Sequence, residues 1–360
     1  MNAFVLEENY MSKRLSASIY RRGHGVAMPG QYLGLLILLL MASCASWSTE
    51  PDSEAATRVY HYEHWDVFTD LALTGNQLAV FKVQAGLEPQ LMQKMALEMA
   101  FSETAFVFPT DKAGLDARVR IFSPTRELSF AGHPTIGTTF ALASSGLFAS
   151  GTPEIILGEG IGPVVVELEW EGDQLRFAWM HQQPPVFGPA IRELDAIAAA
   201  LGVAPAQLTS LSLPVQEVSC GSPYIMVPLA SRAAVDQARL DSVALGKVFD
   251  SEGVNRHSLL VFSLETAGDG ATVYSRMLRF DGTEDPATGG ASGPLGSYLV
   301  KHGLVSSARS ASIVSRQGVQ MGRPSSIHIR IVSNGDEIVD VLVGGSAVHV
   351  GGGRLLLPEG

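Results

Sequence analysis

Cysteine is nearly missing from this chain of 360 residues, which has only Cys44 and Cys220. Neither a disulfide framework nor a thiolate-rich zinc site is therefore available. Metal-binding spacings of the His-x-x-x-His or HExxH type are absent, so no metal is expected. A P-loop, a GxGxxG turn opening a helix after a strand, and a GxSxG elbow are absent too. Gly344-Gly345 and Gly351-Gly352-Gly353 read as terminal β-turns. Positive charge is short: 25 Lys and Arg stand against 36 Asp and Glu, a formal net charge of −11. Nucleic-acid binding needs a basic face, and this balance argues against it. No run of like charges forms an acidic tail. The residues call for no cofactor.

What is present is a globular composition, 46% hydrophobic and 17% charged, on a chain long enough for two cores. The 37 glycines and 19 prolines point to many turns and strands. Residues 32–43 are an apolar run too short for an ordinary membrane span and suited to a signal segment, with Lys13, Arg14, Arg21 and Arg22 before it. The run closes in Leu40-Met41-Ala42-Ser43-Cys44, which resembles a bacterial lipobox, although Met41 stands where that pattern usually has Leu. The expectation is export with lipid attached at Cys44, followed by a polar tether. An uncleaved anchor, or a true start at Met11 that leaves the protein in the cytoplasm, is the alternative.

The chain is organised around Arg118–Gly137, answered downstream by Arg276–Gly293. Each stretch is a strand, an acidic turn and a Gly-containing lead into a helix of small residues. A slide of 156 positions lays Arg120 on Arg276, Phe122 on Leu278 and Gly137 on Gly293. Such an internal repeat predicts two similar halves. The flanking pattern predicts a strand from Val59, a helix over Glu88–Phe101, and a Ser102-Glu103-Thr104 hinge into a strand at Ala105–Phe108. Helices of small residues are expected over 135–147 and from about 291 to 302, both enclosed by other structure. His181–Pro185 reads as an interdomain linker, and Ser306–Ser312 as a loop.

The two helix starts, at Gly132-His133 and at Thr288-Gly289-Gly290, expose N–H groups and partial positive charge suited to a carboxylate. Glycine there lets a ligand approach the backbone, or merely lets helices pack tightly. Glu103 at its hinge can serve as a general base if burial raises its pKa, or be a surface or capping Glu. Asp285 can be a site residue or an N-cap neighbour, and His133 a ligand-facing or a merely satisfied polar residue. None of these is specific alone.

Together, GNQLAVF (Gly75–Phe81), LEMAFSETAFVF (Leu97–Phe108), RIFSPTRELSFAGHPTIGT (Arg120–Thr138) and EDPATGGASGPLGSYL (Glu284–Leu299) resemble the phenazine-biosynthesis PhzF-like isomerases. The resemblance runs in order from about Val59 to Leu357. It implies an α/β (α+β) fold of the diaminopimelate-epimerase type, two pseudo-symmetric domains each wrapping a barrel-like sheet around a central helix. The expected division is a leader over 1–58, one domain over 59–180 joined by a returning strand at 346–357, and a second over 181–345. It also implies that Glu103 is the acid/base, and that His133, Asp285, Asn76, Gly132, Thr288, Gly289 and Gly290 bind substrate. Two departures stand out: Gly290 replaces a Ser common in the family, and Gln77 replaces a Pro. The related epimerases use two thiols at the helix starts, where this chain has Ala131-Gly132-His133 and Thr288-Gly289-Gly290, so a two-thiol racemase is not expected. The function implied is a cofactor-independent isomerase acting on a small carboxylic acid in the interdomain cleft. The alternative is a non-catalytic, membrane-tethered binder of a small anion. A homodimer is implied by the resemblance alone.

Overall fold

The computed structural model describes residues 57–84, 86–306 and 310–358, so residues 1–56 of the expected leader, with Cys44, lie outside the described residues. Strand formation follows from alternation. In Ala117–Phe122, Val119 and Ile121 turn inward while Arg118 faces out, the two-residue period of a pleated strand.

In chain order the strands of the first half are β1 (Thr57–Val67), β2 (Asn76–Lys82), β3 (Glu103–Phe108), β4 (Ala117–Phe122), β5 (Glu127–Leu128), β6 (Glu154–Glu159), β7 (Gly162–Glu171) and β8 (Gln174–Gln182). Those that follow are β9 (Val186–Ile191), β10 (Val215–Ser219), β11 (Pro223–Pro228), β12 (Leu259–Ser263), β13 (Val273–Leu278), β14 (Glu284–Asp285), β15 (Ser310–Gln317), β16 (Ser325–Asn334), β17 (Glu337–Gly345) and β18 (Ala347–Pro358). The helices are α1 (Pro89–Met99), α2 (Gly132–Ser144), α3 (Leu194–Ala200), α4 (Ala206–Thr209), α5 (Arg232–Gln237), α6 (Ser242–Glu252) and α7 (Gly289–Lys301). No helix among the described residues is long and apolar enough to cross a membrane.

Pairing repeats along the chain. β2 is antiparallel to β1 and parallel to β3, and β4 is antiparallel to β3 and β5 and parallel to β6. Likewise β11 is antiparallel to β10 and parallel to β12, and β13 is antiparallel to β12 and β14 and parallel to β15. The antiparallel runs β6-β7-β8 and β15-β16-β17 complete the two halves, and β8 pairs with β17 to join them. β9 pairs with β10, and β18 with β1, so each half ends in a strand laid on the start of the other. This is a mixed α/β architecture of two like halves, and Arg58–Leu357 form one compact unit.

α2 and α7 are the helices of small residues, and both are enclosed: residues 132–142 and 289–299 are all buried. Bulk is excluded by contact. A Cβ on Gly137 would lie 2.6 Å from Leu78, and one on Gly296 2.5 Å from Ile329. Both helices begin earlier than their sequences led us to expect, at Gly132 and Gly289, which puts those glycines, His133 and Gly290 inside the first turn. The repeat also shifts. The strands match at an offset of 156, from 117 to 273, but the helices match at 157, from 132 to 289, because the turn before β14 is one residue longer than that before β5.

Three local expectations are corrected. The Ser-rich loop is in part β15: Ser310 and Ser312 face out while Ala311 and Ile313 are buried, so serine here marks the solvent side of a strand. Gly344-Gly345 and Gly351-Gly352-Gly353 lie within strands, and at all of them but Gly351 crowding demands glycine: a Cβ on Gly344 would meet the Trp179 ring at 2.6 Å. The linker reading fails for His181 and Gln182, which pair with Leu342 and Val341.

Candidate active site

Two turns carry the first half's contribution. α1 ends at Ala100, held in the left-handed conformation at φ 55°, and the chain then enters β3 at Glu103. The hinge is thus two residues long, and Glu103 is already on the strand, only 7% exposed. Before β2, Gly75 adopts φ 69°, and a Cβ there would strike the Val67 carbonyl oxygen at 2.4 Å, so only glycine fits. Arg323 locks that turn, donating to the carbonyls of Gly75 and Thr74 at 2.7 Å each and pairing with buried Asp66. Asn76 is thereby fixed at the head of β2.

The second half supplies Asp285 at the end of β14, which the chain buries by pairing it across to Met277. Its Oδ1 accepts from Asn76 Nδ2 at 3.1 Å and from Ser102 Oγ at 2.8 Å, and its Oδ2 accepts from Thr288 Oγ1. Asn76 also donates to the Ala287 carbonyl at 2.9 Å and lies 3.2 Å from His133 Nδ1. Glu103 sits 3.4 Å from that same ring nitrogen, and Arg279 Nη2 lies 3.3 Å from both Glu103 Oε1 and Asp285 Oδ1. Gln317 donates to the Asp285 carbonyl and to Thr288 Oγ1, and accepts from the Thr288 N–H.

The starts of α2 and α7 abut. A Cβ on Gly132 would fall 2.5 Å from Gly289 backbone atoms, and one on Gly289 would fall 2.8 Å from Phe68 and 3.0 Å from Gly132 Cα. These two glycines act as spacers that let the backbones touch. Two N-termini, each equivalent to roughly half a positive charge, repel one another, and carboxylates placed beside them offset that repulsion. Asp285 answers this need within the protein, and a bound anion would answer it further.

The surroundings set the proton affinities. Glu103 is pushed up to about 8, first by burial and then by the charge of Asp285, with Arg279 opposing. His133 is pushed down to about 4 by burial, so its imidazole is neutral at physiological pH. Glu103 therefore exchanges its proton close to neutrality, as a group that both takes and returns a proton must.

Of the residues singled out in the sequence, Asn76, Glu103, His133, Asp285 and Thr288 form one contiguous cluster. Gly132 and Gly289 meet back to back beside it, and Gly290 lies against the Tyr224 hydroxyl, 2.9 Å from where its Cβ would be. Sequence reasoning missed Arg279, Ser102, Gln317 and Tyr224. Arg279 had a signal: it has no arginine counterpart in the first repeat, where Ser123 stands. Cys220 is buried beside α7, 3.7 Å from Ser297 Oγ, and burial pushes its thiol up to about 12, so it is an inert packing residue.

The phenazine biosynthesis-like protein family matches residues 65–353. An uncharacterized isomerase of Mesorhizobium japonicum is 35% identical over 303 residues, covering 82% of this chain and 99% of its own. The trans-2,3-dihydro-3-hydroxyanthranilate isomerase of Pseudomonas chlororaphis is 33% identical over 301 residues, covering 83% and 100%. Among solved structures, a PhzF-family phenazine biosynthesis protein of Bacillus anthracis superposes with a TM-score of 0.74 at 23% identity, over 83% of this chain and 100% of that one. A hydroxyproline epimerase from Agrobacterium vitis shares the fold with a TM-score of 0.59 at 15% identity, over 84% and 94%.

Proposed function

The chain belongs to the phenazine biosynthesis-like family and is an isomerase, and from that premise we propose that it moves a proton on a small carboxylic acid, with Glu103 as the proton carrier. The observation that carries this reading is the buried Glu103 carboxyl, with its pKa near 8, beside Asp285, Arg279 and the neutral His133. In its ionised form Glu103 takes a proton from an acidified carbon and returns it at another position of the same molecule. The substrate carboxylate lies toward the paired helix starts, whose N–H groups and dipoles stabilise negative charge as it develops. His133 and Asp285 orient the substrate, and Asn76, Ser102, Thr288 and Gln317 hold Asp285 in place. None of these steps requires a cofactor. The substrate named for the Pseudomonas relatives, trans-2,3-dihydro-3-hydroxyanthranilate, is one acid of this class.

The test is solvent deuterium wash-in with a panel of small carboxylic acids that includes that compound. At least one acid should gain deuterium. Glu103→Gln, which keeps size and polarity, should slow exchange by about 10²–10⁴-fold with the thermal unfolding curve unchanged. Undiminished exchange in that variant would remove Glu103 from the mechanism, and an acid that binds but never exchanges would make the protein a binder.

A further inference from the structure

Tyr224 is the second residue of β11, its ring packed against the core around α7, which includes Met226, Leu260 and Tyr298. Ring packing fixes where the hydroxyl goes, and it goes to the first turn of α7. A Cβ on residue 290 would lie 2.9 Å from Tyr224 Oη and 3.7 Å from Cζ, so the smallest side chain at 290 displaces the phenol. Gly290 and Tyr224 are thus one structural choice, a bare backbone on one side and a hydroxyl on the other. That hydroxyl makes no hydrogen bond among the described residues. The neighbouring polar groups are committed elsewhere: Asn76, Ser102 and Thr288 all donate to Asp285, and Gln317 to the backbone of Asp285 and to Thr288. The charged groups that act on it are Glu103, Asp285, Arg279 and the exposed Arg126.

We propose that Tyr224 is a substrate-binding residue, its hydroxyl donating to the carboxylate of an acid held at the start of α7. Burial, then the two carboxylates, raise the phenol's pKa, so it offers a proton without adding charge. The pairing accounts for the glycine at 290, where the family pattern carries serine: the hydroxyl comes from β11, packed beside α7, instead. It is a feature of the second half only. Ile225 pairs with Leu259 as Ala79 pairs with Thr104, which puts Leu78 at the matching place in the first half. The proposal rests on the isomerase reading only for where the substrate sits.

The experiment compares wild type, Tyr224→Phe, Gly290→Ser and the double variant. Each is titrated with 3-hydroxyanthranilate, an aromatic acid with no sp3 carbon proton to move, and assayed by deuterium wash-in with the panel of acids above. Tyr224→Phe keeps the ring, so packing holds while affinity falls roughly 10–100-fold, the loss expected for a hydrogen bond to a charged group. In turnover KM should carry most of that loss, and the pH profile should not move. Gly290→Ser alone should also weaken binding, by pushing the phenol aside. The double variant, with a serine hydroxyl in the space the phenol leaves, should recover to within roughly 3-fold of wild type, a reversal that simple damage cannot give. Unchanged affinity in Tyr224→Phe, a double variant no tighter than Gly290→Ser, or wild type that fails to bind overturns the proposal. Binding of this probe by a wild type that exchanges none of the panel acids overturns the proton-transfer reading instead, and the four affinities still decide Tyr224.

Discussion

In the first half Arg120, on β4, reaches Glu127 through two hydrogen bonds of 2.7 Å, from Nε and Nη2. In the second, Arg276 on β13 reaches Glu284 in the same way, at 2.9 and 2.7 Å. The pairs are equivalent by the repeat, but their settings differ. Glu127 is exposed, whereas Arg276 is 4% exposed and its Nη1 also donates to the carbonyls of Val235, Asp236 and Ala238 near the end of α5. The same divergence recurs around the helix starts. Leu128 and Ala131 on one side face Asp285 and Thr288 on the other, Glu159 answers Gln317, and Glu103 answers Ser258. What the halves share builds the scaffold; where they depart from one another, ionisable and hydroxyl groups meet in one asymmetric cluster.

Removing one carboxylate from each ion pair measures how far the halves have diverged. Glu284→Gln leaves a buried guanidinium without its counter-charge and should cost on the order of 3 kcal/mol in urea unfolding. Glu127→Gln, at the exposed pair, should cost less than about 1 kcal/mol. Equal costs would mean that the two settings are energetically alike, against the burial difference.

A pH-dependent effect, smaller than that at Glu284, is expected at Glu159. Gln317 fills its place by the register, satisfying α7 through both ends of its amide, whereas Glu159 accepts from Thr135 Oγ1 at 2.6 Å and leaves Oε2 buried without a partner. Burial pushes Glu159 up to about 8, opposed by the Thr135 hydrogen bond. A carboxyl raised in the folded state contributes its full stability below its unfolded pKa, near 4.5, and loses it as pH rises through about 8. Glu159→Gln should therefore be close to neutral at pH ~4 and stabilise by on the order of 1–3 kcal/mol at pH ~9. A gain that does not grow with pH would show that Glu159 does not titrate as its burial requires.

Much of this arrangement was legible in the residues. A run such as Gly132–Ser144, nine of whose thirteen residues are Gly, Ala, Ser, Thr or Pro, fits best inside a sheet, and two such runs behind matching strands announced the repeat. Glu103, His133 and Asp285 were recognisable from their motifs. The helices start two or three residues ahead of where propensity puts them, because propensity favours neither glycine nor histidine as a helix opener, while tertiary contact between Gly132 and Gly289 sets where the chain turns in. Longer-range partners left less trace. Gln317 and Tyr224 reach the site only through pairing across the sheet, and only the repeat, which matches Arg276 to Arg120 but Arg279 to Ser123, separates Arg279, which faces the carboxylates, from Arg276, which ties down α5. Helix α6 has a capping signal in Asp241, which accepts from the Val243 and Ala244 N–H groups, but its apolar face is thin.

The central claim is that one side of a symmetric scaffold holds the proton carrier, and the pH dependence of deuterium wash-in tests it most directly. With Glu103 required as the ionised base, its pKa raised to about 8, and His133 neutral above about 4, wild-type exchange should climb about tenfold per pH unit from pH ~5 and level off above about 8. A profile that is flat through this range, or one that falls as pH rises toward 8, contradicts Glu103 as the base that begins the reaction.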